Sequence, residues 1–449
     1  MADSAIRGRL LGFTRAPSGA GDAASYSYIE DGIVLVADGR IASVGAARDL
    51  AARLPAGLPV AHHPDALIMP GFIDTHIHVP QTQVIASYGA QLLDWLEKYT
   101  FVEEQRFSDL DHAARNAEFF LDELARNGTT TACCYGTVHA ASVESLFAAA
   151  EARGAGMIAG TAIMDRNGPP ALLAAGRDGI AESRALIRRW HGTGRQRYAV
   201  TPRFAITSTD GQLAAAGALL REFPTVYLQT HLAENRDEIA AVRRLFPDDP
   251  SYTAVYARAG LLGPRALLGH CIHLDDGEIA LLRDSRAVAV FCPTSNLFIG
   301  SGLFDRARLA AAGVRIGLAT DVGGGTSYSM LRTAAEAYKV LQLQGQNLPA
   351  LAAFDMMTRG NAASLGLDGE IGTLTPGAYA DLVVLDARAT PAMAYRMAVA
   401  RDLEEELFVL MTLGDDRAVA RTYIRGVANF FSLSPRFAGG RGKKLKTDD

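Results

Sequence analysis

Short apolar runs alternate with longer stretches of helical period through the middle of the chain. The runs are Phe72–His78, Thr129–Tyr135, Met157–Ile163, Tyr198–Arg203, Val226–His231, Ala266–His270, Ala287–Cys292 and Val314–Thr320. Their length and unbroken hydrophobicity suit strands covered on both faces, as parallel strands are. Eight such runs with helical patterns between them predict an α/β fold, a (β/α)8 barrel of the TIM type. Leu110 to Arg126 reads as one helix, with Leu110, Ala114, Ala117, Leu121 and Leu124 on its inner face and a stop at Asn127-Gly128. Ser142 is placed to cap a second helix running to Arg153-Gly154. A third starts near Asn235 and carries Ile239, Val242 and Leu245.

The two ends of the chain are patterned differently. Residues 1–70 hold short alternating strands broken by turns, with a hairpin signal at Asp38-Gly39. The same style returns at Ile371–Leu385, with a turn at Pro376-Gly377, and again around Thr422–Gly426. Both termini are therefore expected to meet in one small β-sandwich domain. The expected division is 1–70 and 371–449 for that domain, with 71–370 for the barrel. One segment breaks the barrel pattern. Val79 to Asp109 is longer than an ordinary βα loop and holds Gln81, Gln83, Tyr88, Trp95, Tyr99 and Phe101. On the carboxyl face of a barrel it reads as a lid or substrate wall.

Composition narrows the function classes. The 449 residues are 49% hydrophobic, enough for a large core and a smaller domain. A net charge of -5 suggests no polyanion, hence no nucleic-acid partner. The one basic run, Arg441 to Lys446, reads as a solvated tail. No stretch approaches the ~20 apolar residues of a membrane helix, and no secretory h-region opens the chain. No membrane partner is expected. The four cysteines, Cys133, Cys134, Cys271 and Cys292, all sit in apolar runs, and no C-x-x-C pair exists. They read as buried thiols of a cytoplasmic protein.

The candidate chemistry lies at the strand ends. Residues i and i+2 of a strand share a face, so His76 and His78 project together as a two-toothed metal grip. The fifth run ends in His231, with Glu234 close behind; the sixth ends in His270; the eighth leads to Asp321, before Gly323-Gly324-Gly325. The carboxyl end of the strands is where barrel chemistry is built. Around one zinc, His76, His78, His231 and Asp321 make one protein ligand more than the usual catalytic set. Such an ion lowers the pKa of its water from 15.7 to about 7. Asp321 can then accept the water proton, His270 can orient the water, and Glu234 can carry protons to the leaving side. The sum is hydrolytic attack on an electrophilic carbon. No lysine ends a predicted strand between 129 and 291, which argues for one metal, not a pair bridged by a modified lysine. Three imidazoles and a carboxylate suit zinc or iron. His273 reads as structural, and His62, His63, His112, His139 and His191 as ordinary surface or loop residues.

These residues resemble the amidohydrolase superfamily, and within it a bacterial guanine-deaminating branch, over nearly the whole chain. The stretches that carry the resemblance are Pro70–Thr82, Leu92–Leu96 with Tyr99–Phe101, Asn127–Thr131, Thr201–Phe204, His231–Glu238, Cys292–Leu297, Ser301–Phe304, Thr320–Gly325 and Met411–Arg417. The resemblance implies zinc at His76, His78, His231 and Asp321, with Glu234 as proton shuttle and His270 at the water and substrate. It also implies substrate contacts from Gln81, Arg203 and Phe204: an amide offering donor and acceptor, a donor for a purine carbonyl, and a ring against the purine face. Guanine is the implied substrate and a homodimer the implied assembly. A pterin, triazine or oxidised purine is open to the same machinery. Met357–Asn361 departs from the smaller residues expected there.

Overall fold

The computed structural model describes residues 3–89 and 91–429; the basic tail lies outside them. In chain order, β1 (Ser4–Phe13), β2 (Tyr26–Ala37), β3 (Arg40–Ala46) and β4 (Val60–Pro70) precede β5 (Phe72–His78). Then come β6 (Thr129–Tyr135), β7 (Gly156–Gly160), β8 (Ala162–Ile163), β9 (Arg197–Pro202), β10 (Tyr227–Leu232), β11 (Ala266–His270), β12 (Val288–Phe291) and β13 (Arg315–Leu318). The chain closes with β14 (Leu382–Leu385), β15 (Val419–Ile424) and β16 (Val427–Asn429). The third predicted run is thus β7 and β8, interrupted at Thr161; β8 pairs only with β9.

The barrel strands run parallel in the order β5-β6-β7-β9-β10-β11-β12-β13. The seam between β13 and β5 is held differently, by a few directed bonds at its carboxyl end. Asp321 donates its backbone N–H to the His76 carbonyl at 2.9 Å, and His78 donates to Val322 at 2.8 Å. Asp74, fully buried, accepts from the Thr320 hydroxyl at 2.5 Å and the Thr320 N–H at 3.2 Å. Asn361 bridges the same seam, donating to the carbonyls of Ile73 at 2.6 Å and Leu318 at 2.8 Å. The unusual Met357–Asn361 segment thereby ends in the residue that ties the first barrel strand to the last. The two strands that carry the His pair and Asp321 are locked together at the site.

Both termini build one continuous seven-stranded sheet, in the order β16-β15-β14-β4-β1-β2-β3. Asp38 and Gly39 turn β2 into β3 with φ of 53° and 73°, the two positive values that the favoured two-residue hairpin turn demands. Ile6, Leu10, Val34, Val36, Ile68, Leu382 and Val384 form a core of this domain's own. It is tied to the barrel through Asp381, whose buried carboxylate meets Arg195 in a two-pronged ion pair and accepts from the Arg425 N–H at 3.0 Å.

The helix over Leu110–Arg126 has the predicted bounds, capped by Asp109. Its inner face is Ala113, Ala117, Phe120, Leu121 and Leu124, whereas Leu110 is 57% exposed and Ala114 also faces solvent. Ser142 is not a cap: the helix starts at Ala140, and the Ser142 hydroxyl donates back to the His139 carbonyl at 2.8 Å. His112, expected at the surface, is buried against Glu103 at 3.0 Å. All four cysteines are buried free thiols. Among the described residues no helix is long and apolar enough to cross a membrane.

Candidate active site

Strand alternation brings the His76 and His78 Nε2 atoms to 3.2 Å from each other. At the end of β10, His231 sets its Nε2 3.3 Å from that of His78. Asp321 places Oδ1 3.2 Å from the Nε2 of both His76 and His78. Divalent-metal bonds of 2.0–2.1 Å set neighbouring ligand atoms about 3 Å apart. The donor set therefore fits a divalent metal. Its protonation fits as well. His231 Nδ1 lies 2.6 Å from the Arg203 carbonyl, which only an N–H there can satisfy, so Nε2 presents its lone pair. Burial pushes the His78 pKa down to about 3 and that of His231 well below the usual histidine range. Burial alone would raise Asp321, but the surrounding His76, His78 and His270 hold it well below the ordinary carboxylate value.

The approach of these groups is close enough to dictate the backbone. A Cβ on Gly269 would sit 2.6 Å from His76 Cε1. Ala233, His270, Cys271 and Asp321 all adopt left-handed φ between 51° and 72°, strained for residues with side chains. A second donor group of His76, His270, Cys292 and Asp321 shares two members with the first. Burial, then Asp321, pushes the Cys292 thiol up, so it stays protonated.

The proton-handling groups sit alongside. Glu234 is fully buried. Ser301 donates its hydroxyl to Glu234 Oε1 at 2.7 Å, and Oε2 lies 3.4 Å from His270 Nε2. Burial, then the Asp321 charge, pushes the Glu234 carboxyl up to about 8. The Asn296 amide oxygen lies 2.9 Å from His270 Nδ1, which turns the bare Nε2 toward Glu234 and Asp321. Glu238 completes the capping box of the helix at Arg236–Leu245 and accepts the Glu234 N–H at 2.8 Å. Sequence reasoning passed over Ser301, Asn296 and Glu238. Only Glu238 had a local signal, the Asn-x-x-Glu spacing of a capping box.

A cavity opens over this cluster. Gln81, Arg203 and Phe204 line it beside His78, His231, Glu234, His270 and Asp321. The 79–109 segment closes it with Leu92, Trp95 and Leu96, so that segment is a wall of the site. Two side chains have partners of their own. Gln81 is oriented by the fold: its Oε1 accepts the Gly323 N–H at 3.1 Å, which leaves the NH2 free to donate. Arg203 is already paired: its Nη1 donates to both Glu104 oxygens at 2.6 and 2.8 Å, and the guanidinium lies 5.1 Å from the Phe101 ring centre. Both side chains are almost fully buried. Glu104 carries no local signal, since its partner is 99 residues away.

Breaking a buried ion pair from one side costs ~3–5 kcal/mol because the other charge is stranded. Glu104→Gln should accordingly lower the thermal midpoint by several degrees and, by freeing Arg203 from its place, lower kcat/KM. Thermal unfolding and steady-state kinetics on the same sample check both.

Comparison with known proteins places the chain. The amidohydrolase family model matches residues 67–428. The guanine deaminase of Escherichia coli K12 is 46% identical over 423 residues, covering 94% of this chain and 96% of that protein. The solved E. coli guanine deaminase superposes with a TM-score of 0.93 over 95% of this chain and 99% of its own, at 45% identity. A guanine deaminase from C. acetobutylicum, solved with guanine in its active site, gives 0.85 at 28% identity, covering 95% of this chain and 100% of its own. The chain belongs to the amidohydrolase family, in its guanine deaminase branch.

Proposed function

We propose that this protein hydrolyses guanine to xanthine and ammonia with one zinc ion held by His76, His78, His231 and Asp321. The observation that carries the reading is the convergence of three imidazole nitrogens and a carboxylate oxygen, with His78 Nε2 3.2–3.3 Å from His76, His231 and Asp321 and His76 3.2 Å from Asp321, under a cavity that also presents Glu234, Arg203 and Phe204. The two donor groups, His76, His78 and His231 on one hand and His76, His270, Cys292 and Asp321 on the other, share His76, so they overlap, which favours a single ion. Bound there, zinc supplies Lewis-acid chemistry that brings the pKa of water to about 7.

The chain's own groups handle the substrate and the protons. Glu234 starts protonated, because burial opposes its charge, and donates to a ring nitrogen of the purine. Ser301 holds its other oxygen still. Protonation of that nitrogen draws electrons from the adjacent amine-bearing carbon and makes it electrophilic. Water oxygen bonds to that carbon while Asp321 takes a water proton, and the bare Nε2 of His270 orients the attack. The carbon–nitrogen bond then breaks: the amine takes the proton held on Asp321 and leaves as ammonia, and the proton on the attacking oxygen returns to Glu234 as the new carbonyl forms. Arg203 donates to the purine carbonyl, the Gln81 NH2 to a neighbouring acceptor, and Phe204 lies against the ring. Pairing with Glu104 neutralises Arg203, which suits a neutral purine.

The test is ammonia release at neutral pH from guanine, adenine, a pterin and a triazine, with elemental analysis of the same preparation. Guanine should lead, with about one divalent ion per subunit, zinc or iron. Two ions per chain, or full activity after exhaustive chelation, overturns the single-metal assignment.

A further inference from the structure

One wall of the cavity is polar and unused by the chemistry above. Ser295 lines the cavity and is fully buried, and its Oγ has no hydrogen-bond partner among the described residues. The side chains on either side of it are engaged: the Thr294 hydroxyl donates to the Thr320 carbonyl at 3.1 Å, and Asn296 holds His270. A buried hydroxyl left unsatisfied is destabilising, so one that faces a ligand cavity implies a partner that arrives with the ligand. Gly324 supplies a second observation. A Cβ there would lie 2.6 Å from Ser295 Oγ, so the glycine keeps open the space over the hydroxyl.

The strand order says which part of a ligand this wall meets. Arg203 and Phe204 follow β9, whereas Ser295 and Gly324 follow β12 and β13. In the sheet order β9 and β13 stand four places apart, which in a closed barrel of eight puts their ends on opposite sides of the mouth. Gln81 belongs to the same side as Gly324, through its bond to Gly323.

We propose that Ser295 is a specificity-determining residue that hydrogen-bonds a ring nitrogen of the purine on the side opposite the carbonyl met by Arg203. The inference rests on the guanine reading. A hydroxyl can donate or accept, so it serves a ring nitrogen in either protonation state, where the NH2 of Gln81 beside it can only donate.

The experiment compares wild type and Ser295→Ala on guanine and on its 7-deaza and 9-deaza analogues, each lacking one ring nitrogen that Glu234 does not protonate. The Ala variant should lose about tenfold in kcat/KM on guanine. On one analogue, the one missing the contacted nitrogen, wild type and variant should be equal. Metal content should be unchanged and the thermal midpoint without substrate unchanged or higher, since an orphan hydroxyl has been removed; a residue that merely supports the fold would give a lower midpoint. Gly324→Ala, which closes the space while keeping the hydroxyl, should show the same analogue dependence through KM. Guanine turnover by Ser295→Ala within twofold of wild type, or an equal loss on all three substrates, overturns the proposal. If instead the wild-type protein releases no ammonia from guanine, the underlying reading fails and not the placement of Ser295.

Discussion

Glu234→Gln keeps the fold and the metal and loses ~10²–10⁴-fold in turnover, the usual contribution of a positioned acid–base group. The substitution is nearly isosteric. The Ser301 hydroxyl still finds an oxygen where it now meets Oε1 at 2.7 Å, and the backbone N–H of residue 234 keeps its 2.8 Å bond to Glu238. What disappears is the exchangeable proton. Burial, then the Asp321 charge, pushes the carboxyl up to about 8, so at neutral pH it carries the proton that the ring nitrogen takes. The measurement is kcat for guanine alongside elemental analysis. Turnover within a few-fold of wild type would make Glu234 a helix-end acid, favourable near the first turn for reasons unrelated to catalysis.

The second large effect concerns substrate choice. Adenine sets an amine where guanine has its carbonyl, so it brings a donor against the Arg203 donor. A site built to hydrogen-bond one group can reject an analogue lacking it by ~10⁴–10⁵. Guanine should therefore outrun adenine by a wide margin, and Arg203→Ala should lose kcat/KM mainly for carbonyl-bearing purines. The Glu104 pair complicates the single variant, because removing Arg203 leaves a buried carboxylate, one that burial already pushes up in pKa. The double variant Glu104→Leu with Arg203→Met removes both charges at once, a change that is often close to neutral for stability. If the double variant folds well and still loses guanine selectivity, Arg203 reads the carbonyl. Adenine or a triazine ahead of guanine on the wild-type enzyme sinks the guanine assignment and leaves the deaminase chemistry standing.

Much of the site was readable because it is locally encoded. Period-two alternation alone brings His76 and His78 to one face, and the apolar runs before His231, His270 and Asp321 each end where a barrel exposes its chemistry. The helix at Leu110–Arg126 was bounded at its end by its Asn-Gly stop. Its buried face was misread at the first turn, because Leu110 and Ala114 face solvent while Ala113 is buried. Hydrophobicity names candidates for a face, but the packing against neighbouring elements selects the final rotation. Ser142 failed as a cap for a similar reason: the chain enters the helix earlier, and a serine in the first turn can bond backward to a carbonyl instead.

The sequence by itself determined the order of elements, the barrel and the gathering of His76, His78, His231 and Asp321, since each depends on spacing within one strand or on strand ends that the fold must gather. Only the tertiary structure decided the partners. Arg203 looks like a free donor until the 79–109 segment folds back and sets Glu104 against it. Gln81 looks like an unanchored amide until Gly323 binds its oxygen. Ser295 is one serine among many until the closed barrel leaves its hydroxyl buried, unpaired and facing the cavity. A hydrogen bond between distant segments is set by where the backbones come to rest, and no periodicity along the chain carries that information.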